Sequence, residues 1–297
     1  MAPGTDARCS ALARAVEEPL PGTAPVGDRL LLVEHVGSWP RAVDRHPDPA
    51  IAGLAARARQ AGRKLLLIRR PGRRPSQDAP RTVFVADTGP GRTTVRRFLV
   101  DGPDDLSVVA LGDPAAAELV DRALLMVCTH GTRDLCCAVE GRALAAAVAE
   151  AEPEPDFVWE CSHLGGHRFA PTALVLPTGY LYGRLDVGAA ITARKAAAQG
   201  EVETSRCRGR MAWQPAGQVA ELAVRIHTGL QDVDALVVDR IEEVRGGREV
   251  LVRGPGGAAW AVQVDERPGP LRPLSCGASL ERGAPLVATS LRAVVGS

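Results

Sequence analysis

Apolar side chains along this chain fall in short runs of strand length, separated by Ala-rich stretches with helical spacing. Arg29 to His35 (Arg-Leu-Leu-Leu-Val-Glu-His) reads as a first strand, Pro49 to Ala61 as a helix and Lys64 to Arg70 as a second strand. Thr82 to Ala86 and Thr94 to Val100 follow as strands joined through the turn Asp87-Thr-Gly-Pro-Gly-Arg92, and Pro114 to Val120 begins a short helix. The order then recurs: strand Ala123 to Val127, helix Ala138 to Ala151, strand Phe157 to Glu160, strands Ala173 to Leu176 and Tyr180 to Arg184, helix Gly188 to Gln199. The offset between the two series is roughly 90 residues, which marks an internal repeat. Strand, helix, strand, hairpin and helix is the core order of a thioredoxin-like fold, so the pattern predicts an α/β protein with two such units in tandem.

Aligning the repeats sets Leu31 to Glu34 against Leu125 to Cys128, so the first unit carries Glu34 where the second carries a thiol. Only the second unit is then equipped to hold a metal. Beyond it, Pro215 to Leu230 has the spacing of an amphipathic helix, and Ala235 to Val238, Glu249 to Val252, Ala259 to Val264 and Val287 to Leu291 read as short strands. The expected organisation is an α/β domain over residues 1–115, a thioredoxin-like domain over 116–231, and a β-rich, chemically quiet segment over 232–297.

At 297 residues the chain exceeds the usual single-domain size, in keeping with that division. Hydrophobic residues make up 45% of it and aromatic ones only 3%, so the interior is built from small aliphatic side chains. A formal charge of +1 lacks the electrostatic footprint of a general nucleic-acid binder. Lys64, Arg69, Arg70, Arg73 and Arg74 form one basic knot around Pro71 and Gly72, which reads first as a solvated turn and second as a docking point for an acidic redox partner. No run of 18 apolar residues is present to span a bilayer, and Met-Ala-Pro-Gly-Thr-Asp at the N-terminus lacks the regions of a signal peptide, so no membrane partner and a cytoplasmic location are expected. In that compartment thiols stay reduced. The odd set Cys9, Cys128, Cys136, Cys137, Cys161, Cys207 and Cys276 therefore points to metal ligation or redox chemistry before disulfides.

Two pairs of metal-grade side chains stand out. Cys128 and Cys137 are separated by eight residues, and His163 and His167 by three, among them Gly165 and Gly166. Cys128 closes a predicted strand, where open α/β sheets place their ligands, and Cys137 opens the next helix, whose dipole favours a thiolate. Cys136, one residue earlier, is a rival ligand. The glycine pair opposes a helical turn, each Gly costing about 1 kcal/mol relative to Ala, so the histidines belong to a loop that can bend closely round a bulky group. Any one of these residues alone would read as a buried structural side chain, because free Cys is commonly buried. Four ligands on two adjacent strand-end loops reverse that judgement. Zinc fingers and ribbons space their thiols two to four residues apart, and the longer spacing here suits a two-iron cluster better than a structural zinc. Of the neighbours, Arg133 and Asp134 are expected to form a loop-ordering pair, His130 to lie beside the ligands or at the surface, Arg168 to offer charge to a cluster, and Trp159 to pack in the core. Cys161 has no assigned role. Pro171 stands where thioredoxin folds carry a cis-proline, with an isomer that sequence does not fix.

Cys128-Thr-His-Gly-Thr-Arg-Asp-Leu-Cys-Cys-Ala138 followed by Trp159-Glu-Cys-Ser-His-Leu-Gly-Gly-His-Arg-Phe-Ala170 resembles the sucrase/ferredoxin-like family. Glu18-Pro-Leu-Pro-Gly-Thr-Ala24, Leu31-Leu-Val-Glu34 with Gly37-Ser-Trp39, Leu66-Leu-Ile-Arg-Arg70, and Arg208-Gly-Arg210 with Gln218-Val-Ala-Glu221 extend the resemblance over residues 9 to about 230. It implies a thioredoxin-like ferredoxin domain with a [2Fe-2S] cluster held by Cys128, Cys137, His163 and His167. Neutral imidazoles in place of two thiolates raise the reduction potential, as in Rieske centres. The function implied is one-electron transfer, coupled to a proton where a ligating imidazole titrates, by a carrier rather than a stand-alone enzyme. A separate reductase and acceptor would be its partners, since Gly-x-Gly-x-x-Gly is absent after every predicted strand. No carboxylate pair supports a glycosidase. Two alternatives remain: a metal-free thiol oxidoreductase using Cys136 with Cys137 or Cys161, weakened by the lack of Cys-x-x-Cys, and a zinc-stabilised interaction module.

Overall fold

Two strand-helix-strand units share one ten-stranded sheet in the computed structural model, which describes residues 8–72, 79–101, 117–152 and 156–294. A short helix α1 (Cys9–Ala15) precedes the first unit, which runs β1 (Arg29–Glu34), α2 (Pro49–Gln60), β2 (Lys64–Arg69), β3 (Arg81–Asp87), β4 (Thr94–Val100) and the edge strand β5 (Glu118–Leu119). The second runs β6 (Leu124–Cys128), α3 (Arg142–Ala151), β7 (Val158–Cys161), β8 (Ala173–Leu176), β9 (Tyr180–Tyr182), α4 (Val187–Ala198) and β10 (Cys207–Arg210). The sheet order is β10-β9-β8-β6-β7-β2-β1-β3-β4-β5. Each unit thus has a parallel β-α-β pair, a third strand antiparallel to the first and a hairpin partner, the order expected of a thioredoxin-like core. The protein is α/β with a β-rich C-terminal segment.

The apolar runs are continuous because the sheet is covered on both faces. On one face Leu31, Val33, Leu65, Leu67, Val83 and Val85 bury Ile51, Leu54 and Ala58 of α2. The second unit uses the same face for Leu144 and Val148 of α3 and Ala190, Ala193 and Ala197 of α4. Asp48 and Asp186 cap α2 and α4, accepting from Ala50 N at 2.9 Å and Ala189 N at 2.8 Å. On the other face a single core crosses both units, from Leu30, Leu32 and Phe84 through Met126 and Trp159 to Leu174 and Leu181. Cys128, Cys137 and Cys161 are buried in that shared core.

The units join where β2 pairs antiparallel with β7, Ile68 opposite Cys161 and Arg69 opposite Glu160. Ser162 N donates to Leu67 O at 2.7 Å and Ser162 Oγ accepts from Leu67 N at 3.0 Å, extending the seam past the strand end. At the position equivalent to Cys128, Glu34 is buried, takes the Arg70 guanidinium at 2.8 Å and accepts from Thr82 N at 3.0 Å. The first unit therefore fills its equivalent site with an ion pair.

Helix α5 (Pro215–Thr228) packs Ala216, Val219, Ala220 and Val224 onto a four-stranded antiparallel sheet of β11 (Val237–Val244), β12 (Gly247–Arg253), β13 (Ala259–Glu266) and β16 (Leu286–Val294). Between β13 and β16 a separate hairpin, β14 (Leu271–Pro273) and β15 (Leu280–Arg282), reaches α1.

Several expectations are corrected. The helix expected from Pro114 to Val120 is absent over its described part: residues 114–116 lie outside the described chain, and Glu118–Leu119 pair with β4 as a strand. In the basic knot, Arg73 and Arg74 also lie outside it. Arg69 and Arg70 pair with Glu160, Glu34 and Asp156 at 2.7–2.8 Å, so their charges are already met. Helix α1, strand β10 and the β14–β15 hairpin have no counterpart in the expected elements, and the C-terminal segment, expected to be quiet, brings Cys276 against Cys136 and Cys9. The helix after Cys137 begins with one π turn, Cys137–Gly141, before α3. That turn presses Gly141 against the end of β6, where a Cβ would overlap the Cys128 carbonyl oxygen. Gly141→Ala is therefore expected to cost about 1–3 kcal/mol, the usual range for overpacking, read as a lowered denaturant midpoint; an unchanged midpoint would show that the π turn can move off β6.

Candidate metal centre

Parallel pairing of β6 with β7 sets Cys128 directly beside Cys161 at the carboxyl ends of the two strands. The chain leaves β6 in a loop that returns at the π turn, so Cys137 faces Cys128 with both thiols buried. After β7, Gly165 and Gly166 adopt φ of 80° and 69°, conformations that exact little from glycine, in the loop that sets His163 at the thiols and His167 against His163. The Sγ atoms of Cys128 and Cys137 and a ring nitrogen of His163 all lie within 4.8 Å of one another, with Cys128 Sγ 4.0 Å from His163 Nδ1. The His167 ring is tilted 32° to that of His163, centroids 5.3 Å apart. Both His167 ring nitrogens are buried without a hydrogen-bond partner; Asp134 Oδ2 stands 3.6 Å from Nε2, outside hydrogen-bond range. The structure thus brings Cys128, Cys137 and His163 together, while His167 falls outside that close group and lies against His163 with both ring nitrogens buried and unpaired, free to turn to a metal.

Electrostatics suit ligation. The neighbouring Cys137 thiol, and after it His163, hold the Cys128 thiol well below its ordinary value, so Cys128 is the thiolate of the pair and Cys137 keeps the proton. Burial pushes His167 below its usual value, leaving the neutral ring that a metal requires. Burial likewise lowers His130. His130 is not exposed: its Nδ1 accepts from His163 N at 3.1 Å, which assigns the ring proton to Nε2, donating to Pro40 O at 3.0 Å. It thereby ties the histidine loop to the first unit. Thr132 Oγ1, donating to Trp39 O at 2.7 Å, does the same for the cysteine loop.

The remaining candidates behave differently from expectation. Cys136 points away from Cys128 and Cys137, toward Cys9 and Cys276, so it is no rival ligand here and shares no site with Cys137. No ion pair joins Arg133 to Asp134 among the described residues; Arg133 contributes its backbone N–H to the His130 carbonyl, while the Asp134 carboxylate accepts from Cys136 N and Cys276 N. Arg168 gives its charge to Glu18 at 3.0 Å, and Glu18 is also held by Arg272 of β14 at 2.7 Å. Cys161 stays a thiol in the shared core, its pKa raised by burial. The Ala170–Pro171 bond is cis, and Trp159 is fully buried.

Arg208 is a functional residue to which the sequence alone assigns no role. It is fully buried, donates Nη1 to Gly165 O at 3.0 Å and Nε to Thr23 Oγ1 at 3.0 Å, and so staples the histidine loop to the segment before β1. Burial pushes it down to about 9, still a cation at neutral pH. No local signal marks it, because its partners are distant in sequence.

Cys128 and Cys137 lie inside the core, whereas His163 lines a cavity of about 550 Å³ together with His130, Arg41 and Arg59. The sucrase/ferredoxin-like family model matches residues 20–209, more than half of the chain. The chain belongs to the sucrase/ferredoxin-like family. No curated protein and no solved structure matches it. The family match covers both units and ends in β10, so all four candidate ligands fall inside it while Cys9 and Cys276 fall outside. Among the described residues no helix is long and apolar enough to cross a membrane.

His130→Ala removes an acceptor from His163 N and a donor from Pro40 O, and leaving buried polar groups unpaired costs about 1–3 kcal/mol. Chemical denaturation should show a loss in that range together with weaker metal retention; wild-type values for both would mean the histidine loop holds itself.

Proposed function

We propose that this protein carries electrons one at a time through a [2Fe-2S] cluster held by Cys128, Cys137, His163 and His167. The observation that carries the reading is the Cys128–Cys137–His163 group with the unpaired, buried His167 imidazole against His163, within a chain of this family. When bound, the cluster supplies a one-electron redox couple whose potential is raised by imidazole ligation.

The chain's own residues do the rest. Cys128 offers a thiolate already formed, and Cys137 must release its proton on ligation, so metal loading should weaken as pH falls. His130 and Arg208 hold the histidine loop in register with the thiols. The buried thiol end excludes water, and His163 is the candidate ligand that lines the cavity. Exposed Arg41 and Arg59 flank the same cavity and favour a partner with an acidic docking face, either the separate reductase or the acceptor. A soluble, cytoplasmic carrier working with such partners is the setting in which this site makes sense.

A second reading is a single zinc ion. It is favoured by the 4.0 Å approach of Cys128 Sγ to His163 Nδ1, close to the edge of about 3.5 Å that a tetrahedral zinc with these ligands requires. Iron and acid-labile sulfide, measured on protein purified without oxygen, separate the two. About two irons and two sulfides per chain, with visible bands that bleach on reduction, are expected. Protein that stays colourless after iron-sulfur reconstitution would overturn the electron-transfer reading. His163→Cys is expected to keep the cluster and lower its reduction potential, because an anionic thiolate replaces a neutral imidazole; an unchanged potential in protein that retains its iron would remove His163 from the ligand set.

A further inference from the structure

Three cysteines outside the proposed cluster set meet beside it. Cys9 of α1, Cys136 of the cysteine loop and Cys276 of the β14–β15 turn form a triangle, with Sγ separations of 3.5 Å (Cys9 to Cys136), 3.3 Å (Cys136 to Cys276) and 3.7 Å (Cys9 to Cys276). Asp134 closes the group. Its Oδ1 lies 3.7 Å from Cys9 Sγ, and one donor atom from each of the four residues lies within 4.8 Å of all the others. The carboxylate also fixes two of the three cysteines through their backbones, accepting from Cys136 N at 2.8 Å and from Cys276 N at 2.9 Å. Cys9 and Cys136 are fully buried, and Cys276 is half-buried.

A disulfide accounts poorly for this arrangement, because it joins only two sulfurs, at about 2.05 Å, and leaves the third without a partner. A tetrahedral zinc accounts for all four residues. With Zn–S bonds of about 2.3 Å, the edge between two thiolates is about 3.8 Å, near the separations seen here. Three soft thiolates and one carboxylate suit zinc better than copper(I), which prefers sulfur alone. We propose that Cys9, Cys136, Cys276 and Asp134 form a structural zinc site, closed by four protein ligands.

Such a site clips together segments 127, 140 and 267 residues apart in sequence, contacts that are entropically expensive to hold by packing alone. It also divides the Cys136-Cys137 dipeptide between two centres: Cys136 anchors the zinc, and Cys137 faces Cys128. Zinc occupancy then fixes the loop from which the neighbouring site takes a ligand, and it ties the C-terminal hairpin to that loop.

The full-length chain, stripped of metal under reducing conditions, is titrated with Zn²⁺ alone and with Co²⁺ alone as a spectroscopic substitute. In a Cys128→Ser/His163→Ala variant, which disables the first site, one equivalent should still bind, with Co²⁺ giving the intense charge-transfer absorption of several thiolates. Cys276→Ser or Cys9→Ser should weaken binding at least about tenfold, and Cys276→His should restore it. In the wild-type chain, Zn²⁺ should protect Cys276 from alkylation and a chelator should expose it, a readout that does not depend on any variant folding. Zinc stoichiometry and affinity unchanged in both Cys276→Ser and Cys9→Ser, alkylation of Cys276 insensitive to Zn²⁺, or a disulfide among these three cysteines in anaerobically isolated, metal-free chain would overturn the proposal.

Discussion

The structure around the candidate centre depends on the antiparallel seam between β2 and β7. Without it the two units would each have a sheet edge of unpaired backbone groups. With it, one apolar core runs unbroken from Leu30 to Leu181, and the first unit becomes a wall of the second unit's site. Arg69, opposite Glu160 across the seam, lays its guanidinium over the Trp39 ring at 4.2 Å, and the backbone of Trp39 and Pro40 takes hydrogen bonds from Thr132 and His130. A unit that contributes none of the four candidate ligands thereby sets the position of the loops that carry them.

The repeat also shows what such a site requires. At the strand end where the second unit has Cys128, the first has Glu34, locked by Arg70 and Thr82. A buried carboxylate paired to arginine has no capacity left for a metal. A buried thiol beside a second thiol and an imidazole has that capacity, and the pKa directions of Cys128 and His167 lean the same way.

Legibility in the sequence followed local signal strength. Strands such as Leu31–Val33 and Leu124–Val127 were readable because both sheet faces are covered, which leaves uninterrupted apolar runs. Helices α2, α4 and α5 were readable from Ala-rich periodicity and from the Pro or Asp at their starts. Strand β10 was not, because Arg208 and Arg210 are polar residues buried by hydrogen bonds to distant carbonyls, a tertiary effect with no local signature. The four candidate ligands were legible as two closely spaced pairs. The Cys9–Cys136–Cys276 group was not, because each cysteine comes from a different part of the chain and only the fold brings them together. The same fact corrects the reading of Cys136 as a rival ligand and of the C-terminal segment as quiet.

The central claim is that two imidazoles and two thiolates share one cluster. It is tested most directly by pulsed electron paramagnetic resonance on the reduced protein, grown with ¹⁵N-labelled histidine. Two coupled histidine nitrogens, both lost when His163 and His167 are replaced, are the predicted result. A paramagnetic cluster with no histidine nitrogen coupled to it would contradict the account.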